Sequence, residues 1–384
     1  MTWMGNRIRI LADDLTGALD TAAAFAGNVP VYLDHPPEAP DALDMDGAAN
    51  RVSVVATPTR DAAADALPAL LAPAAEWFKA DGLSFKKVDS LLRGNTFAEV
   101  AWLFRNMRFA RVIFAPAFPA QGRHTVDDRQ WLVYAEQDGQ RREAVAVPLR
   151  AALAERGLSS AQALGESADV WLPEVVTDQD FDRVVQQGVA AGAGSLWVGC
   201  AGLGGALARH FGLSPRAGSA SPLVAGAGPT IFVSASFQPV FREQWARLRA
   251  SRPISAVAEA GGAARIAATI NLVRAGAGEA WFDLSPRKTL GQEQAMTGLA
   301  AAAQKLTAEL PKPGRLIVVG GDTLLALCRA AQAEGLLTQP SIRPGWGCAR
   351  LLGGAWSGVS CCTRSGAFGA DDDLVALFGD LGNG

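Results

Sequence analysis

Short apolar runs alternate with loops rich in Gly, Asp, Ser or Thr and with segments of helical periodicity along most of the chain. This repeated order of strand, loop and helix is typical of parallel sheets covered by helices. It predicts an α/β fold with largely parallel sheets in both halves. The predicted strands are Ile8–Ala12, Arg51–Ala56, Phe85–Val88, Val112–Ala115, Val170–Leu172 and Leu196–Gly199 in the first half, and Thr230–Val233, Glu279–Asp283, Leu316–Val319 and Val359–Thr363 in the second.

The segment from Gly212 to Pro229 breaks this pattern. It carries three prolines and many small residues but no periodic apolar face, which is the composition of a linker. The length of 384 residues also exceeds the usual size of a single hydrophobic core. We therefore predict two α/β domains, at residues 1–211 and 230–384, joined by a linker at residues 212–229.

Composition excludes several classes of protein. Apolar residues make up 49% of the chain and charged residues 19%, so we expect a packed core rather than a disordered chain. The 35 basic and 38 acidic side chains are interspersed and give a net charge of −3, which disfavours binding to nucleic acid.

Targeting signals and a disulfide framework are also not expected. No segment has eighteen uninterrupted apolar residues, and two carboxylates precede any run suited to a signal peptide, which predicts a cytoplasmic protein without membrane contact. The five cysteines lack zinc-like CxxC spacing, so we expect free thiols in the core.

Two carboxylates directly follow the first predicted strand. Asp13 and Asp14 stand there, Thr16 is expected to cap the next helix, and Gly17 follows. In open α/β sheets ligands bind at the carboxyl ends of strands, where an aspartate can accept a hydrogen bond or a proton from a substrate hydroxyl. The alternative is that one of the aspartates only caps the helix.

Charged and small residues also cluster after the third predicted strand. Thr96 and Glu99 have the spacing of a capping box at the start of a helix. The capping box leaves these neighbouring residues unexplained: Lys86, Lys87, Asp89, Ser90, Arg93, Gly94 and Asn95. An arginine in such a loop can bind a carboxylate through two hydrogen bonds, and with the cap supplied by others Arg93 is expected to be free for a ligand. The alternative is a solvated charged loop.

Three strand-to-helix junctions of the second half carry small residues where a helix begins, at residues 231–245, 316–328 and 358–374. Backbone N–H groups at such junctions can bind phosphate, so their repetition suggests a nucleotide site, although each could be only a tight turn. No Walker A loop is present, and no GxGxxG follows a predicted strand, which excludes ordinary P-loop and Rossmann proteins. The absence of GxSxG and HExxH removes the commonest hydrolases and zinc proteases.

Five motifs in this order, ADDLTGALD at 12–20, KVDSLLRGN at 87–95, APAFPAQGR at 115–123, GGDT at 320–323 and TRSGAFG at 363–369, resemble the four-carbon acid sugar kinase family. The resemblance implies an N-terminal domain that binds a sugar acid, a C-terminal domain that binds ATP with Mg²⁺, and an active-site cleft between the domains. It implies substrate-side roles for Asp13, Asp14, Lys87, Asp89, Ser90, Arg93 and Gly94. It implies nucleotide-side roles for Ser236, Gly320, Gly321, Asp322, Thr323 and Gly366.

The chain also departs from the family pattern. Cys200 stands where Ser is usual, Asp322 where Glu is frequent, and Arg364 where Lys is usual. Asp-Asp-Arg at residues 127–129 interrupts a stretch that often carries Gly. The first three changes preserve size or charge, so the departures bear on the substrate more than on the reaction class.

The implied mechanism is phosphoryl transfer, which needs positioning and charge neutralisation more than covalent chemistry. Arg93, helped by Lys87, is expected to hold the substrate carboxylate, while Asp13 or Asp14 orients the acceptor hydroxyl and can take its proton. No residue is assigned as a metal ligand. The main rival is a non-catalytic sugar-acid sensor with the same two domains, and a nicotinamide-dependent oxidoreductase would need the dinucleotide fingerprint that the chain lacks. Threonate, erythronate and oxo-tetronates all remain open as substrates, as does the oligomeric state.

Overall fold

The computed structural model describes residues 7–37, 51–80, 82–136, 139–145, 148–215, 226–259, 262–286, 290–340, 343, 345–367 and 369–382. The chain divides into two units, Met1–Ala217 and Gly218–Gly384. Residues 216–225, which make up most of the predicted linker, lie outside the described residues, so the linker bounds stay a prediction.

The N-terminal unit is built on a parallel sheet of eight strands in the order β2-β3-β1-β4-β11-β5-β10-β9. These strands are β1 (Ile8–Ala12), β2 (Pro30–Leu33), β3 (Val52–Ala56), β4 (Leu83–Lys87), β5 (Arg111–Ala115), β9 (Ser160–Ala161), β10 (Val170–Trp171) and β11 (Ser195–Gly199). All six strands predicted in this half are confirmed, with ends that agree within two residues.

In the described part of this unit, six helices cover the two faces of the sheet. They are α1 (Leu15–Ala22), α2 (Leu67–Lys79), α3 (Thr96–Met107), α4 (Leu149–Glu155), α5 (Asp178–Ala190) and α6 (Ala201–His210). Successive residues of a strand point to opposite faces of the sheet. Leu11 and Val55 therefore pack in a core with residues of α2 and α3, whereas Trp197 lies against Gly188 of α5 on the other face. Helix α1 packs against α6, which also contacts α5.

A three-stranded antiparallel sheet of this unit has no counterpart in the sequence prediction. It consists of β6 (Arg123–Val126), β7 (Arg129–Glu136) and β8 (Gly139–Val145), paired in that order. Strands β6 and β8 consist mostly of charged and polar residues, so apolar runs do not reveal them, whereas β7 contains the apolar run WLVYA at 131–135 that the sequence prediction missed. Gln130 joins this sheet to the main one, because its buried amide donates to the carbonyls of Ser90 and Pro116, both at 3.1 Å.

The C-terminal unit has a second α/β sheet in the order β13-β14-β12-β15-β18-β17-β16. Its strands are β12 (Thr230–Ser234), β13 (Val257–Ala258), β14 (Glu279–Asp283), β15 (Arg315–Val319), β16 (Gly335–Gln339), β17 (Gly347–Leu352) and β18 (Ser360–Arg364). The first five in the sheet order are parallel, and β17 and β16 extend it with antiparallel pairs. The four strands predicted here are confirmed within one residue.

Five helices flank this sheet: α7 (Pro239–Ser251), α8 (Ala263–Arg274), α9 (Gln292–Glu309), α10 (Gly321–Ala330) and α11 (Asp373–Gly382). Aromatic rings fill the space between strands β12 and β14 and helices α7 and α11. Phe232 lies within 5.4 to 6.4 Å, between ring centroids, of Phe241, Trp245, Trp281 and Phe378. This aromatic cluster holds β12 in place. The strand-to-helix junction at residues 231–245, one of the three predicted to bind phosphate, includes the carboxyl end of β12.

All five cysteines are free and buried, as predicted. Within the described ranges, no helix has both the length and the apolar character needed to cross a bilayer.

We expect Gly188→Ala in α5 to lower the free energy of unfolding. A Cβ at this position would lie 2.7 Å from Ile113 Cδ1 and closer still to the ring of Trp197, and both side chains are buried. Such overpacking costs about 1–3 kcal/mol. This outweighs the roughly 1 kcal/mol by which Ala normally stabilises a helix over Gly.

Gly205→Ala in α6 is the matched control, because its added Cβ would meet nothing closer than Arg209 Nη1 at 3.8 Å. It should raise stability by about 0.5–1 kcal/mol. Urea denaturation of the full chain measures both variants. Stabilisation of both by similar amounts would contradict the close packing at Gly188.

Candidate active site

The candidate site of the N-terminal unit lies where two neighbouring strands send the chain to opposite faces of the sheet. Strand β1 leads into α1, which packs with α6, whereas β4 leads into α3, which packs with α2. In open α/β sheets a ligand crevice forms at the carboxyl ends of strands that diverge in this way. Asp13 and Asp14 follow β1, and Lys87 ends β4, so the topology brings these predicted residues to one crevice.

Asp13 is held by an arginine that the sequence analysis did not single out. Arg60 Nε donates to Asp13 Oδ2 at 2.9 Å, and Arg60 Nη2 donates to Oδ1 at 3.0 Å. Burial alone would raise the pKa of Asp13, but the positive charges of Lys87 and Arg60 outweigh it and hold the pKa below its usual value. Asp13 is therefore a buried carboxylate that is ionised at neutral pH.

Asp14, not the predicted Thr16, caps helix α1. Its Oδ1 accepts the backbone N–H of Gly17 at 3.0 Å and also Arg60 Nη2 at 2.6 Å. Asp14 takes the cap because its extended backbone precedes the first helical residue, whereas Thr16 already lies inside the helix. Arg60 thus joins both aspartates and lies 3.9 Å from a third carboxylate, Asp89 Oδ1.

Lys86 and Lys87 point to opposite faces of the sheet, as the two-residue period of a strand requires. Lys86 Nζ is fully buried and lies 2.6 Å from Glu99 Oε2 of α3. Lys87 points to the face of α1, where its Nζ lies over Gly17 so closely that a Cβ there would overlap it. A side chain at position 17 would therefore displace the Lys87 ammonium group or the Asp14 carboxylate.

Lys87 is an ammonium group with few partners. Its side chain is only 5% exposed, and the nearest carboxylate oxygen, Asp13 Oδ1, is 3.9 Å from Nζ. Nζ donates no hydrogen bond to any residue in the described part of the chain. A buried ammonium without a close partner is costly, so this arrangement favours an anionic or hydroxyl-bearing ligand beside it.

Asp89 and Arg93 form a bidentate pair. Arg93 Nε donates to Asp89 Oδ2 at 2.8 Å and Nη2 to Oδ1 at 2.7 Å. Burial would raise the pKa of Asp89, but the hydrogen bonds and charges of Arg93 and Arg60 lower it to about 2. The expectation that the Arg93 guanidinium is unpaired is wrong, although its side chain is 64% exposed and Nη1 donates to none of the described residues.

The predicted capping box is also wrong. Helix α3 begins at Thr96 after the N-cap residue Asn95, and no side chain caps it. The carboxylate of Glu99 turns inward instead, where it pairs with Lys86 and accepts a hydrogen bond from Thr59 Oγ1 at 2.7 Å. A fully buried ammonium needs a counter-charge more than a helix end needs a cap, because the latter can be solvated.

Asn95 and Gly94 fix the loop that carries Arg60. Asn95 Nδ2 donates to the carbonyls of Thr59 and Ala62, both at 2.8 Å. Gly94 has a φ of 74° and lies against the carbonyl of Arg60 so closely that a Cβ would overlap it. The motif residues at 94 and 95 therefore act on the arginine that holds Asp13. The sequence signal for Arg60 was its place four residues after a predicted strand end, in a loop with two threonines and a proline.

In the C-terminal unit, the three junctions predicted to bind phosphate follow strands that are neighbours in the sheet. Strands β12, β15 and β18 lie side by side and run parallel, so their carboxyl ends share one edge. The sheet order could not be read from the sequence. It places the predicted residues Ser236, Gly320–Thr323 and Gly366 on adjacent loops.

Hydrogen bonds tie these loops together. Gly320, with a φ of 112° that favours glycine, donates its N–H to the carbonyl of Arg364 at 2.9 Å. Thr323 Oγ1 accepts the N–H of Ala235 at 3.2 Å. A Cβ at Gly366 would overlap Ser236 Oγ, so the first and third loops are also in contact. Asp322 lies in the first turn of α10, and Gly321 is its first residue.

Arg364, one of the departures from the family pattern, is almost fully buried. It donates to Asp373 and to Gln244 Oε1, and its guanidinium lies 4.8 Å from the ring centroid of Trp346. These contacts fix the third loop from inside the protein. Its role in this structure is therefore structural.

Two family models match the chain. The model described as a sugar-binding N-terminal domain matches residues 8–151, and the one described as a nucleotide-binding C-terminal domain matches residues 231–374. Together they span well over half of the chain, one in each unit.

Curated relatives match over nearly the full length. A D-threonate kinase of Cupriavidus necator is 28% identical, covering 97% of this chain and 96% of the relative. A 3-oxo-tetronate kinase of Brucella melitensis is 25% identical, covering 95% and 93%. A solved structure of a Haemophilus influenzae protein has a TM-score of 0.71 at 17% identity, covering 97% of this chain and all of the other, which bears on the fold alone.

We expect Arg60→Met to destabilise the protein in a pH-dependent way. Removing one partner of a buried ion pair costs about 3–5 kcal/mol, because Asp13 is left desolvated and only distantly compensated by Lys87. In the wild type the pKa of Asp13 is lowered, so its contribution to stability is present above the unfolded-state pKa of about 3.9 and is lost as the pH falls through the lower folded value.

In the variant, Asp13 is easier to protonate, so the difference in unfolding free energy between the two proteins should be largest near pH 7 and narrow below about pH 4. Urea denaturation at several pH values measures this. A difference that does not change between pH 7 and pH 3 would contradict the assigned role of Arg60.

Proposed function

We propose that this chain, a kinase of the four-carbon acid sugar kinase family, transfers the γ-phosphoryl group of ATP to a hydroxyl of a four-carbon sugar acid. The observation that carries the proposal is the presence of two sheet edges of complementary character. The sheet edge of the N-terminal unit carries alternating lysine, arginine and aspartate side chains. That of the C-terminal unit carries three glycine- and serine-rich loops that contact one another.

The nucleotide is assigned to the C-terminal unit. The N-terminus of α10 follows Gly320 directly, and backbone N–H groups at a helix N-terminus bind phosphate oxygens. Small residues at 320, 321 and 366 let a phosphate approach the backbone closely. In this proposal Ser236 and Thr323 position the loops, since Ser236 lies against Gly366 and Thr323 Oγ1 accepts the N–H of Ala235.

The sugar acid is assigned to the N-terminal unit. The outer edge of the Arg93 guanidinium offers Nη1 to the substrate carboxylate, while Asp89 holds the inner edge. Lys87 lies further inside the crevice and is suited to a substrate oxygen or to the transferring phosphoryl group. Asp14 uses only Oδ1 for Gly17 and Arg60, so its Oδ2 remains to orient a substrate hydroxyl.

Mg²⁺ enters the reaction as the counter-ion of ATP. The part of the chain that the structure describes contains no group of three or more His, Cys, Asp or Glu able to hold a metal. This fits an ion bound mainly by phosphate oxygens and water, with one or two carboxylates, as is usual for magnesium in kinases. Its charge neutralises the phosphates, and no step is assigned to a particular ligand of it.

A screen of sugar acids with ATP and Mg²⁺ tests the proposal. We expect an ATP-dependent mass increase of one phosphate on D-threonate, D-erythronate or a 3-oxo-tetronate, with release of ADP. A protein that binds these acids in calorimetry but forms no phosphorylated product would be a non-catalytic sensor instead. The interdomain cleft, in which the two ligands would meet, stays a prediction.

We expect Arg93→Ala to weaken binding of the sugar acid, because the substrate carboxylate loses the positively charged donor at Nη1. In a site that excludes water, such a loss costs about 2–5 kcal/mol. Arg93→Lys should restore binding only in part, since lysine keeps the charge but not the planar fork. Steady-state kinetics and calorimetry on the best acid of the screen measure both.

Arg183→Ala is the matched control, because Arg183 is similarly exposed and also pairs with a nearby aspartate, Asp180, in the same unit. It should leave kcat/KM unchanged. If Arg93→Ala keeps the kcat/KM of the wild type, the substrate carboxylate is bound elsewhere, with Lys87 the next candidate.

A further inference from the structure

The two aspartates that follow β1 are poorly suited to accept a proton. Both oxygens of Asp13 accept hydrogen bonds from Arg60, and the carboxylate is almost fully buried. Its lowered pKa also makes it a weak base. Asp14 Oδ1 accepts hydrogen bonds from the N–H of Gly17 and from Arg60, so this carboxylate already serves the helix cap and the ion pair. The crevice therefore needs another proton acceptor.

Helix α1 carries a third aspartate on the face that meets Lys87. Lys87 Nζ lies over Gly17, and residues three apart on a helix are neighbours on one face, about 5–6 Å apart. Asp20 is three residues after Gly17, and the positive charge of Lys87 acts on it to lower the pKa of its carboxyl. The Cys200 thiol, at the start of α6, also lies within the electrostatic reach of both Lys87 and Asp20.

Asp20 differs from the other two aspartates in its surroundings. Its side chain is exposed, and it makes no hydrogen bond or ion pair with any described residue. The protein atoms around it nevertheless raise the pKa of its carboxyl, an effect that the charge of Lys87 only partly offsets. An accessible carboxylate with a raised pKa is a better proton acceptor than an ion-paired one.

Lys87 supplies a second, independent sign of a ligand at this place. Its side chain is only 5% exposed, and its Nζ makes no hydrogen bond with the described residues. The ammonium group thus points at the space beside Gly17 and Asp20 with its donors unused. A substrate hydroxyl placed there could accept from Lys87 and donate to Asp20.

We propose that Asp20 is the catalytic base, which takes the proton of the acceptor hydroxyl as the hydroxyl oxygen attacks the γ-phosphorus of ATP. The new O–P bond forms as the bond between the γ-phosphorus and the bridging oxygen of ADP breaks, and ADP leaves with that electron pair. Lys87 stabilises the negative charge that gathers on the attacking and phosphoryl oxygens. The assignment rests on the proposed kinase function.

Asp20→Asn tests the assignment, because it keeps the size of the side chain but cannot accept the proton. We expect kcat on the best sugar acid of the screen to fall by about 100-fold or more, the range usual for the loss of a general base. The Kd values of that acid and of a non-hydrolysable ATP analogue should stay within about threefold of wild type, because neither carboxylate nor phosphate binding is assigned to Asp20. Thermal unfolding of the same samples checks the fold.

Asp65→Asn is the matched control, since Asp65 is exposed and makes no hydrogen bond or ion pair with the described residues. It should keep the wild-type kcat. Asp20→Glu retains a carboxylate in α1 and should keep more activity than Asp20→Asn, which provides a second measurement if Asn disturbs folding.

The assignment is overturned if Asp20→Asn keeps a kcat within about threefold of wild type, or if Asn and Glu reduce kcat equally. A fall in kcat matched by an equal loss of sugar-acid affinity would also overturn it. These outcomes are separate from failure of the proposed function, which would show as a wild-type protein that phosphorylates no sugar acid.

Discussion

The guanidinium of Arg60 gathers three carboxylates that come from different segments of the N-terminal unit. Asp13 and Asp14 follow β1, Asp89 follows β4, and Arg60 itself follows β3, so one side chain joins the ends of three neighbouring strands. Three partly desolvated negative charges at one sheet edge would repel each other strongly without it. The pairing therefore holds the ends of these strands together and helps to lower the pKa of Asp13 and of Asp89.

One consequence is a row of alternating charges that runs from inside the crevice to its surface. In spatial order it reads Lys87, Asp13, Arg60, Asp89 and Arg93, with neighbouring charges from 2.7 to 3.9 Å apart. The charges of the inner members, Asp13, Arg60 and Asp89, largely offset one another, so they provide little positive charge for an anionic ligand. The proposed ligand contacts lie at the two ends, where Lys87 Nζ and Arg93 Nη1 donate to no described residue. Arg60 Nη1, in the middle of the row, also has no described partner.

The support for this row comes from the other face of the sheet. Thr59 donates to Glu99, and Glu99 pairs with the fully buried Lys86, so the loop before Arg60 is attached to α3 through the core. A buried ion pair adds little net stability but defines one arrangement of its neighbours. The glycine-rich loops of the C-terminal unit reach a similar rigidity by different means, since backbone N–H groups and small hydroxyls link β12, β15 and β18.

The sequence by itself determined the α/β class, ten of the parallel strands, and the loops proposed to carry the chemistry. Apolar runs and the small or polar residues that end strands are local properties of the chain, so they can be read without the fold. It did not find the antiparallel strands β6–β8, β16 and β17, nor the parallel strands β2, β9 and β13. Strands β6 and β8 are mostly polar or charged, and β9 and β13 are only two residues long, so none of these four contains an apolar run. It also assigned the caps of α1 and α3 to Thr16 and Thr96, since spacing alone gives no account of buried partners. Tertiary structure decided that Glu99 serves Lys86, that Arg93 pairs with Asp89, and that Arg60 holds Asp13. Each of these depends on charges brought together from distant segments and removed from water, where the need for a partner overrides the local preference.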